Sequence, residues 1–407
     1  MTRDSDSTPP PWLTLVGIGE DGPAGLTPAA SRAIATAETV FGGARHLALA
    51  ASLVKGEAVP WPSPFSIEPV LARRGKATVV LASGDPFLHG VGNVLARRLD
   101  GAEMRTLPAP SAFSLAANRL GWPLGEIVTL TLHGRPIGML RPHLHPGARL
   151  LALTADAAAP AAIAALLRAD GFGPSRMTVL EALGGARERI RSARADDFAA
   201  ADSHPLNVVA ITVAATPGAR ILPRAAGLDD ALFEHDGQIS KREIRALTLS
   251  ALAPRPGQHL VDIGAGSGSI AIEWLLAATA MRATAIEPRA DRAARIRRNA
   301  LAFGVPQLAL REGKAPEALE GLQADAVFIG GGATQAGVLG GAMALLASGG
   351  RLLVNAVTLE TERLILDAQA RLGGGLIRIA IDRAEPLAGM TGWTPARPVL
   401  QWSWTKP

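Results

Sequence analysis

The chain has 407 residues, 48% hydrophobic and only 4% aromatic, with 41 Lys and Arg against 36 Asp and Glu for a net charge of +5. That length predicts two or three domains with real cores, and zero cysteines exclude disulfides, thiolate metal sites and a cysteine nucleophile. The start, MTRDSDSTPPP, has no apolar h-region and no uninterrupted apolar run reaches about 18 residues, so a cytoplasmic protein without a membrane span is expected.

Residues 1–11 are expected to be disordered. Residues 12–18 (WLTLVGI) predict a strand feeding Gly17-Ile18-Gly19-Glu20-Asp21-Gly22, a G-x-G-x-x-G. Pro23 follows, and the next helix starts later, with Thr27 as N-cap and Pro28 in its first turn. The glycine loop therefore does not open directly into a helix, as a dinucleotide site requires. Helix 28–38 leads to Val40-Phe41-Gly42-Gly43-Ala44-Arg45-His46. Strand 77–82 ends in Ser83-Gly84-Asp85-Pro86-Phe87-Leu88-His89, which puts a carboxylate at the C-terminal edge of a sheet, where open α/β folds hold ligands. A plain surface turn is the alternative.

After strand 103–107, Ser111 is the expected N-cap of a helix beginning at Ala112. Strands follow at 127–132, before His133-Gly134-Arg135, and at Arg149–Leu153, before Thr154-Ala155-Asp156. Helix 160–169, strand 177–180 and strand 206–213 complete this part, with Glu181-Ala182-Leu183-Gly184-Gly185 between the last two. Read in order, these are repeated strand–helix units in two blocks, 12–108 and 109–215, forming one domain. Residues 216–232, with two prolines, two glycines and no periodicity, are the linker.

Residues 233–407 begin with Gly237-Gln238-Ile239-Ser240-Lys241-Arg242-Glu243 ahead of a helix through Leu252. Strand His259–Ile263 carries one acid, Asp262, and breaks into Gly264-Ala265-Gly266-Ser267-Gly268 before an apolar helix from Ser269. Glycines let such a turn lie against a ligand while the helix N-terminus points its N–H groups at it. The spacing is G-x-G-x-G with an acid before the first glycine. It lacks the G-x-G-x-x-G, with an acid roughly 20 residues on, of a nicotinamide site. Strand Arg282–Glu287 ends in an acid suited to ribose hydroxyls. The in-strand carboxylate suits a cationic or amino-acid-bearing ligand and would repel a pyrophosphate. The combination resembles class I S-adenosylmethionine methyltransferases; a dinucleotide site and a ligand-free turn are the alternatives. Further on come helix 289–303 with Asn299, strand 308–312 into Gly313-Lys314-Ala315, and strand Ala324–Ile329 into Gly330-Gly331-Gly332. Strand 350–356, helix Leu359–Leu372 and strands 376–382 and 399–404 follow. That order predicts a doubly wound sheet with an antiparallel pair at its end.

Two halves then carry family resemblances. Residues 12–215 resemble the tetrapyrrole (uroporphyrinogen-III/precorrin) methylases through LVGIGEDGPAGLTPAA, FGGARHL, LASGDPFLHGVG, APSAFSLAANRLG, LTLHGR and EALGGARERI. Residues 233–404 resemble the small class I methyltransferase domain found beside it in vitamin B12 (cobalamin) synthesis, through DGQISKREIRALTLSAL, VDIGAGSGSIAIEW, AIEP, EGKAPEAL, FIGGG and GGRLLVNAVTLET. The resemblance implies an α/β fold: an N-terminal tetrapyrrole-methylase fold of two α/β subdomains, then a class I Rossmann-like methyltransferase fold at 233–407.

The resemblance also implies two S-adenosylmethionine sites. In the first, Gly84, Asp85 and Leu88 would line the methionine side, followed by Ser111 and Ala112. Thr154 and the Leu183-Gly184 backbone would meet the adenosine, and the loop from Gly17 to Asp21 would face a tetrapyrrole. In the second, Asp262, Gly264, Gly266 and Gly268 would hold the amino-acid end and Glu287 the ribose. Lys314 and Ala315 would meet the adenine edge, and Gly237, Gln238 and Ser240 would close over the cofactor. Lys314 departs from the Asp of many such domains. The implied reactions are methylation of ring carbons 5 and 15 and loss of CO2 from the ring C acetate. Methyl transfer to an electron-rich macrocycle is mostly a positioning problem, so no catalytic acid or base is assigned. Asp21 and the candidate carboxylate clamps Arg45, Arg135, Lys241 and Arg242 are the expected substrate contacts.

Simpler roles stand beside these. Arg45, Arg135 and Arg242 are each accounted for by solvated surface charge, and Glu243 by a helix-surface acid. His46, His89, His133 and His235 fit no metal-ligand spacing, so structural roles and no metal are expected. Trp393, Trp402 and Trp404 are expected in core or sheet packing. A nucleic-acid methyltransferase would need a basic face with interleaved aromatics, yet Tyr is absent and no Asn/Asp-Pro-Pro-aromatic motif lies near Phe328. A cofactor-sensing scaffold without turnover is the third reading. The partners expected are a small tetrapyrrole and further copies of the chain.

Overall fold

The computed structural model describes residues 11–199 and 202–407; the disorder expected over residues 1–11 thus falls, Pro11 apart, outside the described residues. One unit runs to Ile137 and resumes over His145–Arg220; the other comprises Gly138–Leu144 and Ile221–Pro407. No helix among the described residues is long and apolar enough to cross a membrane.

The first unit holds two sheets. Strands β1 (Leu13–Ile18), β2 (Thr39–Gly42), β3 (Glu57–Pro60), β4 (Thr78–Ser83) and β5 (Met104–Leu107) form an all-parallel sheet in the order β3-β2-β4-β1-β5. β1 and β4 are continuous apolar runs because both faces of a parallel sheet are covered. Val16, Ile18, Val79 and Leu81 pack on one face, and Leu13, Leu15 and Val80 on the other. The sequence reading assigned no strand to β2 or β3, whose four residues are too few to show a period.

The second sheet corrects an expectation. β6 (Val128–Thr131), β7 (Arg149–Leu153), β8 (Arg176–Glu181), β9 (Arg189–Arg194) and β10 (Asn207–Thr212) stand in the order β6-β7-β10-β8-β9. Only β6 and β7 pair parallel; β7–β10, β10–β8 and β8–β9 are antiparallel. Block 109–215 therefore does not repeat the strand–helix units of block 12–108. The connection from Glu181 to Arg189 is too short for a crossover helix, so β8 and β9 can only form a hairpin.

The second unit is a seven-stranded sheet. β11 (His259–Ile263), β12 (Arg282–Glu287), β13 (Ala309–Glu312), β14 (Ala324–Ile329), β15 (Leu346–Ala356), β16 (Gly375–Ile379) and β19 (Val399–Thr405) take the order β13-β12-β11-β14-β15-β19-β16. β19 runs antiparallel to both neighbours, which is the doubly wound sheet with an antiparallel end expected from the strand order. The expected bounds of β11, β12, β14 and helix Leu359–Leu372 coincide with those observed. A two-stranded hairpin, β17 (Asp382–Leu387) with β18 (Met390–Pro395), was not foreseen. Its turn residues Ala388 and Gly389 both have positive φ, as a two-residue hairpin needs, but neither strand alternates apolar with polar. Trp402 and Trp404 are in the core as expected; Trp393 is not, being 75% exposed on β18, where no second layer covers the hairpin.

Helix Ser269–Ala277 is apolar around nearly its whole circumference and accordingly buried. Its one acid, Glu273, accepts the N–H groups of Gly227 (2.7 Å) and Leu228 (3.0 Å) and pairs with Arg245, itself without exposed surface. Arg245 also donates to the carbonyls of Leu228 and Ser240 and to Asp230. This buried network pins the segment from Gly227 to Arg245 against the helix Ser269–Ala277, and so fixes Ser240 at its end.

Candidate functional site

A cavity of about 830 Å³ opens at the C-terminal edge of β11, β12 and β14. Its floor is the turn after β11. Gly264 and Ala265 donate to the Ile286 carbonyl at 3.0 and 3.1 Å. A Cβ at Gly264, where φ is +72°, would come within 2.9 Å of the Gly331 carbonyl oxygen, so the backbones of the two strand ends approach closely. Gly237, Gln238, Ser240, Asp262, Gly264, Gly266, Glu287, Lys314 and Ala315 all line this one cavity. Gly268 does not. A Cβ there would lie 3.0 Å from Ile296 Cγ2, so that glycine lets the helix start pack against the helix Ala290–Ala302.

Two buried acids set the local electrostatics. Glu287 Oε2 accepts the Gly266 N–H at 2.9 Å and its Oε1 accepts the Arg289 N–H at 3.1 Å. Asp262 Oδ2 accepts the Ala271 N–H at 3.3 Å, while Oδ1 is buried with no partner among the described residues. Burial pushes the Asp262 carboxyl up to about 7, opposed by the Ala271 N–H and reinforced by the charge of Glu287. An unsatisfied carboxylate oxygen facing a cavity calls for a cationic donor.

The cations lining the cavity are mostly paired: Lys241 with Asp230, Arg289 with Asp291, Arg292 with Asp236 and Arg383 with Glu243. Lys314 and Arg397 have no ion-pair partner among the described residues. Arg397 lies beside apolar wall residues Ile379, Ile381 and Val399, and the Ala396 N–H donating to Ile381 O (2.8 Å) anchors its loop. Arg397 stands in the loop between β18 and β19 and carries no motif, so no sequence pattern marks it. Arg242, a sequence candidate, is exposed and outside the lining.

In the first unit the turns after β1, β4 and β5 converge. Gly84 N donates to Ile18 O (3.2 Å) and Ala109 N to Gly84 O (3.1 Å). A Cβ at Gly17 would stand 1.8 Å from Gly84 O, which makes glycine obligatory there. Asp85 Oδ1 accepts the Phe87 N–H at 2.8 Å, and Phe87 and Leu88 are 41% and 39% exposed beside it. Ser111 caps the helix Ala112–Leu120 as expected. From the second sheet, a Cβ at Gly185 would meet Glu20 Cβ at 2.7 Å, so the Leu183-Gly184-Gly185 turn abuts the loop from Gly17 to Asp21. Glu188 holds that turn by accepting Gly184 N–H (2.7 Å) and pairing with Arg119 (2.6 Å). The turns bearing Gly84, Ser111 and Leu183-Gly184 thus gather around the loop from Gly17 to Asp21. Thr154 commits its hydroxyl proton to Asn207 Oδ1 at 2.6 Å, and Asp21 folds back over Gly19 and Gly25. Arg45 pairs with Glu20, and Arg135 is exposed.

His46 packs beside Arg45 and Ser83; His89 takes a left-handed φ of +57°, and His235 accepts the Gly237 N–H at 3.0 Å. Among the described residues no group of three or more His, Cys, Asp or Glu is placed to hold a metal ion.

Known families match both halves. The model for tetrapyrrole (corrin/porphyrin) methylases matches residues 12–199, and that for the precorrin methyltransferase domain matches residues 231–406. The precorrin-6Y C(5,15)-methyltransferase [decarboxylating] of Sinorhizobium sp is 63% identical over 399 residues, 97% of each chain. Two shorter relatives bear single-reaction names. The "Probable cobalt-precorrin-6B C(15)-methyltransferase (decarboxylating)" of Saccharolobus solfataricus is 37% identical over 36% of this chain and 77% of its own. The cobalt-precorrin-7 C(5)-methyltransferase of Salmonella typhimurium is 34% identical over 44% of this chain and 88% of its own. The chain belongs to the precorrin-6Y C(5,15)-methyltransferase (decarboxylating) family of S-adenosylmethionine-dependent enzymes.

Proposed function

We propose that the chain converts precorrin-6B to precorrin-8, methylating ring carbons 5 and 15 and releasing the ring C acetate carboxyl as CO2. The observation that carries this is the 63% identity along 97% of a relative named for both methylations and the decarboxylation. The single-reaction relatives support a division of labour, with carbon 5 methylated by the first unit and carbon 15 methylation and decarboxylation by the second.

S-adenosylmethionine fits the residues of both clefts. In the second, the orphaned Asp262 Oδ1 would accept the ammonium, Glu287 the ribose hydroxyls, and the backbone at Gly264 and Gly266 would lie along the amino-acid end. Gln238 and Ser240 would cover it, with Lys314 and Ala315 at the adenine edge. In the first, Gly84, Asp85 and Leu88 would receive the methionine side, Ser111 and Ala112 would follow, and the Leu183-Gly184 turn and Thr154 would meet the adenosine. When bound, the cofactor supplies an electrophilic methyl on a sulfonium. The chain holds the nucleophilic carbon in line and keeps water out, which is worth several orders of magnitude in rate. Arg397 would hold a macrocycle carboxylate that does not react, while the apolar wall of Ile379, Ile381 and Val399 would face the acetate that leaves. A carboxylate against that wall, deprived of water, is favoured to leave as neutral CO2, the electron pair of the broken C–C bond passing into the conjugated imine system of the macrocycle.

Self-association belongs to the same reading: Leu387, Met390 and Trp393 are 63%, 75% and 75% exposed on the hairpin, and a second copy would cover them.

The test is incubation of the intact chain with precorrin-6B and methyl-labelled S-adenosylmethionine. Two labelled methyls and one CO2 per macrocycle are expected; a single methyl, or no CO2, overturns the proposal.

A further inference from the structure

One side-chain cluster beside the first cleft has no part in the reading above. Ser83 is exposed at the end of β4, immediately before the Gly84-Asp85 turn. His46 Nε2 lies 2.8 Å from Ser83 Oγ, and Arg45 Nη2 lies 2.8 Å from that oxygen and 2.9 Å from Nε2. A guanidinium only donates, so Nε2 accepts and the ring proton sits on Nδ1. Nδ1 is buried with no partner among the described residues. Ser83 Oγ accepts from Arg45, which leaves its own proton free to point at Nε2. Arg45 is meanwhile paired with Glu20, in the loop that follows β1.

Methylating an unsaturated ring carbon that bears hydrogen leaves a proton to be removed. We propose that His46, acting through the Ser83 hydroxyl, accepts the proton lost from carbon 5. This rests on the reading that the first unit methylates carbon 5. As the C–CH3 bond forms and the S–CH3 bond breaks, the positive charge passes from sulfur to the macrocycle. The C–H bond then breaks, and its electron pair restores the ring conjugation. The proton goes to Ser83 Oγ while the Ser83 proton moves to His46 Nε2, and from there to water.

The strength of the base suits the task. Burial, and then the charge of Arg45, hold His46 down at about 4, so the imidazole stays neutral and able to accept over the whole physiological range. A carbon acid on a cationic macrocycle is acidic enough for so weak a base. The Glu20 pairing keeps Arg45 turned toward the dyad and offsets its charge when the imidazole is protonated.

The test compares His46→Gln, Ser83→Ala and Ser83→Thr with the parent in the full chain, using precorrin with and without deuterium at carbon 5. General-base removal typically lowers a rate by about 10²–10⁴. His46→Gln and Ser83→Ala should therefore slow carbon-5 methylation at least about 100-fold and bring out a primary deuterium effect absent from the parent. Ser83→Thr, which keeps the hydroxyl, should stay near the parent rate. Affinity for S-adenosylhomocysteine, carbon-15 methylation and CO2 release by the same chains should not change. Nitrogen-15 spectra of labelled histidine should show His46 protonated on Nδ1 and bare on Nε2. The inference is overturned by a parent-like rate in His46→Gln, by slowing without an isotope effect, or by a proton on Nε2. A parent that fails to methylate carbon 5, or a first unit that binds no S-adenosylhomocysteine, overturns the proposed function instead.

Discussion

Glu287, the last residue of β12, accepts the backbone N–H of Gly266 at 2.9 Å and so ties the glycine turn to the neighbouring strand. That carboxylate both shapes the turn and, in the proposed complex, receives the ribose. Hydrogen bonds to charged groups contribute about 1.5–3 kcal/mol. Glu287→Ala should thus weaken S-adenosylhomocysteine binding in the second unit by roughly ten- to a hundredfold, read by calorimetry. Glu287→Gln, which can still accept from Gly266, should fall between Ala and the parent.

Asp262 makes the same cavity sensitive to pH. Its folded value of about 7 is raised from 3.8, so between those limits the ligand-free folded chain holds a proton that the unfolded chain has released. Stability from this source is full below the unfolded value and is lost as pH rises toward 7. Asp262→Asn should therefore melt close to the parent below about pH 4 and above it at pH 8, by an amount on the order of a few kcal/mol in free energy. A cationic ligand favours the carboxylate, so its binding to the parent should release a proton near pH 6.5 and weaken as pH falls. Calorimetry in buffers of different ionisation enthalpy reads that proton, and Asp262→Asn should release none.

Arg397 is the lining cation to remove for the substrate. Arg397→Gln should raise KM for the precorrin in carbon-15 methylation about tenfold or more, as expected from losing one charge-assisted contact. Affinity for S-adenosylhomocysteine should remain at the parent value. Arg397→Lys should recover part of the loss, since a point charge replaces a bidentate fork.

The pair Arg245–Glu273 is structural. Removing one member leaves a buried charge without its counterpart, which costs about 3–5 kcal/mol. Arg245→Met should lose stability of that order in urea unfolding. Adding Glu273→Gln, which removes the unpaired charge but keeps an acceptor for only one of the Gly227 and Leu228 N–H groups, should recover part of it.

What could be read from the sequence was whatever repeats at a strand or helix period or needs glycine. β11, β12 and β14 are long apolar runs bounded by charge or glycine, and their ends were located to the residue. Gly84, Asp85, Gly264, Gly266 and Glu287 stood out because a backbone turn at a strand end has few other sequences. Function beyond that came from family resemblance. Gly268 stands outside the cavity lining, and a glycine that helix packing requires looks the same in sequence as one that a ligand requires. Arg383 carries no signal because the hairpin strands DRAEPL and MTGWTP are exposed and without burial lack apolar alternation, and Arg397 lies in the loop after them, outside any periodic element. The pairing of Arg45 with Glu20, and of Arg245 with Glu273, joins residues far apart in the chain, which no local pattern encodes.

Two cofactor sites per chain are the centre of the proposal. Titrating the folded, intact chain with S-adenosylhomocysteine in a calorimeter tests it most directly. Two nucleosides should bind per chain, one of them lost in Glu287→Ala at moderate ligand concentration. A stoichiometry of one, or of none, contradicts the account.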